Sequence, residues 1–192
     1  GEPLACAVNG VRLAEPRFGD RVAVVGVGFM GLLLVQALSR MGLDTLAAVD
    51  VRDERLKLAA EFGADTLVNP ERGNSVGDFD IVIEATGSPK GVDVATKLVR
   101  RRGRLCIFSY HPNLVPVDMR VWDAKGLEVL MTNPNRAEDM RLCLRIAMKM
   151  LGRRVFRLDE LVTHVWPLAE IQRAFEYASS KPPDYIKGVI TP

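Results

Sequence analysis

Arg21-Val22-Ala23-Val24-Val25-Gly26-Val27-Gly28-Phe29-Met30-Gly31 is the stretch from which the fold is read. After Arg21 comes a β-branched, apolar run of the kind a parallel sheet buries on both faces. Three glycines follow at G-x-G-x-x-G spacing. From Gly28 the apolar positions Leu32, Leu33, Leu34, Val35, Ala37 and Leu38 predict a helix, with Gly42 as its stop. Gly26 permits a sharp exit from the strand, Gly28 a close backbone approach, and Gly31 tight packing of the helix on the sheet. A strand, a glycine turn and a helix make the opening unit.

The same alternation continues outward. Strands are predicted at Thr45 to Asp50, Asp65 to Val68, Asp80 to Glu84, Arg104 to Ser109 and Leu127 to Met131. Helices are predicted at Glu54 to Phe62, Val92 to Arg101 and Ala137 to Leu151, and Asn69 to Gly77 reads as loop. This order predicts an α/β fold, a doubly wound parallel six-stranded sheet, because right-handed crossovers place helices on both faces. Before it, Glu2-Pro3-Leu4-Ala5-Cys6-Ala7-Val8 reads as a helix with proline in its first turn. Opening on Gly1 and running straight into that helix, the chain is expected to be a piece of a longer one. The tail is predicted strand-like at Val162 to Pro167, helical at Leu168 to Ser179 and strand-like at Tyr185 to Thr191. The expected division is 1–16 linker helix, 17–152 dinucleotide-binding domain and 153–192 C-terminal return segment.

Composition narrows the class. A chain of 192 residues with 48% apolar residues can bury one sizeable core. Lys plus Arg number 26 against 24 Asp plus Glu, so no charge excess points to nucleic acid or an anionic membrane. No run approaches the roughly 20 apolar residues of a spanning helix. Three scattered cysteines, Cys6, Cys106 and Cys143, make neither a disulfide framework nor a CxxC metal site. A soluble cytoplasmic protein is expected. Cys106 inside a strand reads as buried and inert, Met140, Met148 and Met150 as core positions, and Arg100, Arg101, Arg102 and Arg104 as a solvated basic turn.

The glycine motif gains meaning from Asp50, an acid ending the second strand 19 residues past Gly31. That combination is the dinucleotide fingerprint: helix N–H groups facing a pyrophosphate and a carboxylate accepting the adenosine ribose hydroxyls. A carboxylate there repels the extra phosphate of NADP, so NAD is the expected cofactor, with Arg52 and Arg55 nearby able to soften the preference.

Further motifs follow in order: Glu2-Pro3-Leu4-Ala5-Cys6-Ala7, Asp50-x-x-x-x-Arg55-Leu56, Glu61-Phe62-Gly63-Ala64-Asp65, Phe79-Asp80-x-Val82-Ile83-Glu84-Ala85-Thr86-Gly87 and Gly103-Arg104. Near the end come Thr163-His164-x-x-Pro167-Leu168-x-x-Ile171-x-x-Ala174-Phe175 and Tyr185-Ile186-Lys187. Together they resemble the nucleotide-binding half of zinc-type medium-chain dehydrogenases/reductases, the alcohol, polyol and threonine dehydrogenase group. The resemblance implies hydride transfer between an alcohol or polyol-type substrate, or its carbonyl, and the nicotinamide, with zinc in the full-length protein. It implies that the Phe108 and Ser109 backbone and Thr132 meet the nicotinamide, that Thr86 flanks the adenosine side of the cofactor cleft, and that Lys187 reaches the pyrophosphate. Arg55, Phe29 and Met30 complete the implied cofactor set. Glu2 matches a carboxylate that approaches the catalytic zinc in polyol-type members, with an ordinary first-turn acid as the alternative.

In that family a zinc-binding domain precedes the opening helix, and its Cys and His ligands are absent from this chain. Alone, the chain is expected to bind NAD weakly and to turn over no alcohol. His111, just past the fifth strand, is a candidate contact for substrate or nicotinamide, with a plain turn residue as the alternative. His164, near Trp166, reads as structural. The resemblance also implies a homo-oligomer through the edge strand Leu127 to Thr132. Two other functions share these motifs: a non-enzymatic NAD-sensing module and a zinc-free quinone-reductase-like NADP enzyme.

Overall fold

The computed structural model describes residues 1–73, 77–180 and 182–192. Six parallel strands form one sheet in the order β3-β2-β1-β4-β5-β6. They are β1 (Arg21–Val25), β2 (Thr45–Val49), β3 (Thr66–Val68), β4 (Phe79–Glu84), β5 (Val99–Ile107) and β6 (Glu128–Met131). Chain order reverses between β1 and β4, and this is where doubly wound sheets open a crevice at their carboxyl ends.

The alternating side chains of β1 show why both faces are covered. Val22 and Val24 pack with α1 (Glu2–Ala14), α2 (Phe29–Leu38) and α3 (Asp53–Glu61), while Ala23 and Val25 face the other layer. That second layer holds α4 (Pro89–Leu98), and Trp122 of α5 (Met119–Lys125) packs against it. All of α2 from Gly31 to Leu38 is buried. Complete burial of one such leucine contributes about 1.5–3 kcal/mol. Helix α1 is more than a tether: it packs on α2 and on α6 (Met140–Gly152), and Leu4, Ala7 and Ala14 lie in the same core.

Several boundaries differ from the sequence expectation. Helix α2 stops at Leu38, before the predicted Gly42. Helix α4 starts earlier than predicted, where the Ser88 hydroxyl accepts the Gly91 N–H at 3.0 Å and Pro89 sits in the first turn. It ends at Leu98 because Val99 turns extended and enters β5 opposite Phe79. The expected solvated arginine turn is therefore largely strand, and two of its members are ion-paired. Arg100 meets Asp80 at 2.6 Å, and Arg104 meets Glu128 at 2.7 Å.

Helix α5 had no counterpart in the sequence reading, although its signals are present: Asp118 caps the Arg120 N–H and Gly126 closes the helix at φ 60°. Met148, expected in the core, is 49% exposed. Of the predicted loop Asn69–Gly77, Pro70–Arg72 forms a 3-10 turn and residues 74–76 lie outside the described residues.

Past α6, Phe156 and Leu161 return to the main core. Strands β7 (Val162–Pro167) and β8 (Lys187–Thr191) then pair in parallel as a separate two-stranded sheet beside α7 (Ile171–Ser180). His164 stacks on Trp166 at 5.1 Å and lies beside Tyr177 and Tyr185.

Candidate cofactor site

At the switch point the chain leaves β1 through Gly26, whose φ of +89° belongs to the region glycine tolerates best. Gly31 on the first turn of α2 is packed against that turn. A Cβ built on it would lie 1.9 Å from the Gly26 carbonyl oxygen. Gly28 stands at the helix entrance in extended conformation, and no acidic side chain occupies the first turn. The N–H groups there and the positive end of the helix dipole face the crevice, as an anion requires.

Asp50 closes β2 beside this turn. Its Oδ2 accepts the Val27 N–H at 2.9 Å and its Oδ1 the Arg52 N–H at 3.0 Å. An ionised carboxylate has about four acceptor sites, and these two N–H groups fill two of them. The crevice holds about 420 Å³ and is lined by Gly26, Gly28, Asp50, Arg55 and Thr86, among others.

Arg55 enters from α3, with Nη1 3.9 Å from Asp50 Oδ2. The same Nη1 lies 3.6 Å from the place a Gly28 Cβ would take. Burial draws the guanidinium below its ordinary value while the Asp50 charge opposes that shift. Its buried Nε has no hydrogen-bond partner among the described residues. Lys187, at the start of β8, places Nζ 5.2 Å over the Phe29 ring and so adds positive charge at the start of α2. A carboxylate lining the crevice, an orphaned guanidinium donor and a glycine-bared helix start fit the ribose and pyrophosphate of a dinucleotide.

A second cavity of about 300 Å³ lies beside the crevice, sharing Ala85 and Thr86 with it. Cys6, Met30, Phe108, Ser109 and Tyr110 also line it. Phe108 turns its ring into the core against Gly10. Thr132 is enclosed: its N–H donates to the Ile107 carbonyl at 2.8 Å, and its own carbonyl accepts from Asn9.

Under this cavity lies Glu84, fully buried at the end of β4. Its Oε1 accepts the Thr86 N–H and hydroxyl, both at 2.6 Å, and the Gly87 N–H at 3.1 Å. Its Oε2 meets His111 Nε2 at 3.0 Å and accepts a short hydrogen bond from the Ser109 hydroxyl. In the sequence Glu84 was only one letter of a family motif. The signal was an acid closing the apolar run Ile81-Val82-Ile83, a place where a charge requires partners.

Glu2 borders the same region, because the thiol of the lining residue Cys6 donates to its carboxylate at 2.8 Å. Burial first, and then that hydrogen bond, push the Cys6 thiol up to about 12. Among the described residues no group of three or more His, Cys, Asp or Glu is placed to hold a metal ion. A catalytic zinc needs three protein ligands, so the described residues do not by themselves make a zinc centre.

Fold and crevice define the class: a dinucleotide-binding domain of the doubly wound type. The sequence profile of the zinc-binding dehydrogenase family matches residues 30–148, and the chain belongs to that family. It is 30% identical over 189 residues to erythritol/L-threitol dehydrogenase of Mycolicibacterium smegmatis, covering 93% of this chain and 51% of that protein. L-Idonate 5-dehydrogenase from Escherichia coli superposes with a TM-score of 0.86 at 26% identity, over 99% of this chain and 55% of that one. A Sinorhizobium meliloti structure, described as a zinc-binding dehydrogenase bound to NADP, gives 0.84 at 26% identity, over 99% and 57%. The chain spans about half the length of the curated relatives it matches.

Proposed function

We propose that this chain is the cofactor-holding part of an NAD-dependent oxidoreductase, one that moves a hydride between an alcohol or polyol-type substrate and the nicotinamide. The observation that carries this reading is the position of Asp50, held by two backbone N–H groups at the rim of the glycine crevice. When bound, the cofactor supplies the hydride acceptor. The protein's own residues bind and orient it. Gly26, Gly28, Phe29, Met30 and Gly31 present the helix start to the pyrophosphate, and Arg55 and Lys187 balance its charge. Asp50 takes the ribose hydroxyls. Thr86 lines both the crevice and the second cavity, and Phe108, Ser109 and Thr132 form the nicotinamide side, with Phe108 and Thr132 contributing backbone and support rather than open side chains.

NAD rather than NADP is the proposed cofactor, since a 2′-phosphate at Asp50 would bring like charges together where water is partly excluded. Zinc is proposed to belong to the full-length protein, with Glu2 as a candidate ligand, and this chain alone is proposed to turn over no alcohol. Support for a cytoplasmic protein comes from Cys6, Cys106 and Cys143, which are buried and free. No helix among the described residues is long and apolar enough to cross a membrane.

Calorimetric titration of NAD and NADP at one ionic strength tests the reading. Tighter NAD binding by about 10-fold or more is expected from the energy of one charge-assisted hydrogen bond. Equal or tighter NADP binding overturns the cofactor assignment, and binding of neither overturns the whole reading.

A further inference from the structure

Glu71 and Lys90 join two walls of the crevice that lie far apart in the sheet. Glu71 sits on the 3-10 turn after β3, and Lys90 on the first turn of α4, after β4. Two strands, β2 and β1, lie between them, so β3 and β4 run about 14 Å apart at the usual strand spacing. Lys90 Nζ nevertheless meets Glu71 Oε1 at 2.7 Å, and both residues line the crevice. Asp50, which follows β2, stands between the two arms in strand order.

Both arms rest on fixed backbone. The Asn69 side chain accepts the Glu71 N–H at 3.1 Å and donates to the Val51 carbonyl at 3.1 Å, and Arg72 pairs with Asp53. Across the crevice, Ser88 caps the turn that carries Lys90. The Glu71 side chain is 56% exposed and that of Lys90 69%, so a bound molecule reaches either of them.

Pro70 beside Glu71, Val94 one helical turn past Lys90, and Val51 beside Asp50 line the crevice too. Apolar side chains with a carboxylate and an ammonium at hand suit a flat heterocycle with a polar edge. Besides Asp50, Glu71 is the one carboxylate lining the crevice among the described residues. The Thr86 and Ser88 hydroxyls are engaged with Glu84 and with the Gly91 N–H. With Asp50 on the ribose, the attached base therefore meets Glu71 as acceptor and Lys90 as donor. Adenine presents an amino donor beside the acceptor N7, whereas a 6-oxopurine presents two acceptors there.

We propose that Glu71 and Lys90 select the base of the dinucleotide, the carboxylate accepting from the 6-amino group of adenine and the ammonium donating to a ring nitrogen on the same edge. A 6-oxopurine leaves the carboxylate without a donor and turns a second acceptor toward it. This rests on the cofactor reading above and adds recognition of the base to it.

The test is calorimetric titration of the full chain with NADH, with ADP-ribose and with reduced nicotinamide hypoxanthine dinucleotide, which carries a 6-oxopurine in place of adenine. NADH is expected to bind about 5- to 10-fold tighter than the hypoxanthine dinucleotide, as one partly exposed hydrogen bond to a charged group would give. Glu71→Gln, whose amide can turn either its oxygen or its N–H toward the base, should bring the two within about 2-fold. Lys90→Met should weaken both by a similar factor of about 2- to 5-fold and keep the preference. Circular dichroism checks the fold of each variant. Equal affinity of the unaltered chain for the two dinucleotides overturns the proposal, as does a preference that survives in Glu71→Gln. An unchanged affinity in Lys90→Met overturns the part given to the ammonium. Binding of NADH and ADP-ribose without discrimination of the base sinks this inference and leaves the cofactor reading standing, and binding of neither sinks both.

Discussion

The Asp50 carboxylate accepts the backbone N–H of Val27 at 2.9 Å, tying the end of β2 to the middle of the glycine turn. One side chain thus shapes the turn and presents oxygens to the crevice, and these two duties make separable predictions.

Replacing Asp50 with alanine should weaken NAD binding by about 10-fold and lower stability by about 1–2 kcal/mol, since the Val27 and Arg52 N–H groups lose their acceptor. Asp50→Asn should keep more of the stability while narrowing the gap between NAD and NADP. Titration calorimetry and urea denaturation read the two effects. An unchanged NAD affinity in Asp50→Ala would remove the ribose contact.

Gly31→Ala places a Cβ 1.9 Å from the Gly26 carbonyl, a backbone atom with no flexible end to move. The turn or the helix has to shift, at a cost of about 1–3 kcal/mol, and cofactor affinity should fall with it. A denaturation midpoint equal to that of the unaltered protein would contradict this packing.

Asp80 gives an acid-side test. Burial tends to raise its carboxyl, but the Arg21 N–H at 2.7 Å and the Arg100 guanidinium together hold it below its ordinary value. A carboxyl depressed in the folded state stabilises the protein above its unfolded value of about 3.9, and that contribution disappears as pH falls through the folded value. Asp80→Asn should therefore cost about 1 kcal/mol at pH 7 and less as the medium is acidified. Thermal melts of both proteins at pH 7 and pH 3 would show converging midpoints, and parallel ones would count against the ion pair.

Cys6 and Cys106 give the alkaline counterpart. Burial pushes both thiols up to about 12. A thiol raised in the folded state adds stability that is complete below its unfolded value and disappears as pH rises toward 12. Native protein at pH 8 should react slowly with a disulfide reagent and quickly once unfolded. Fast stoichiometric labelling of either residue in the native state would contradict the burial.

Strand β6 is a sheet edge, with Met131 47% exposed and Val129 and Leu130 half-buried. An edge of this kind can be covered by the same strand of a second copy. Sedimentation at rising concentration should show a dimer, and Met131→Lys should weaken it by about 1 kcal/mol or more. A monomer at every concentration would remove this proposal.

Periodicity and turn chemistry made the central layer legible. Short β-branched runs alternating with helical segments are the pattern of a parallel sheet covered on both faces, and Gly26, Gly28, Gly31 and Asp50 carry their spacing in plain sight. The end of α4 was harder to read. Arg100 to Arg104 resembles a solvated turn until Asp80 and Glu128 are brought beside it from other strands. Helix α5 was overlooked for a similar reason: its seven residues are too few for a clear period, and it is defined by its caps, Asp118 and Gly126.

Local order in the chain was enough to specify the alternation of strands and helices and the half of the crevice built around one turn. Those features depend on residues at most about one βα unit apart, where spacing translates directly into geometry. The other half depends on contacts across the sheet that no spacing encodes. Glu84, Ser109 and His111 meet only because β4 and β5 are neighbours, and Lys187 reaches Phe29 only because the tail returns to the start of α2. Burial then decides what those meetings mean, since a carboxylate and an imidazole removed from water must find partners, and only packing determines which ones.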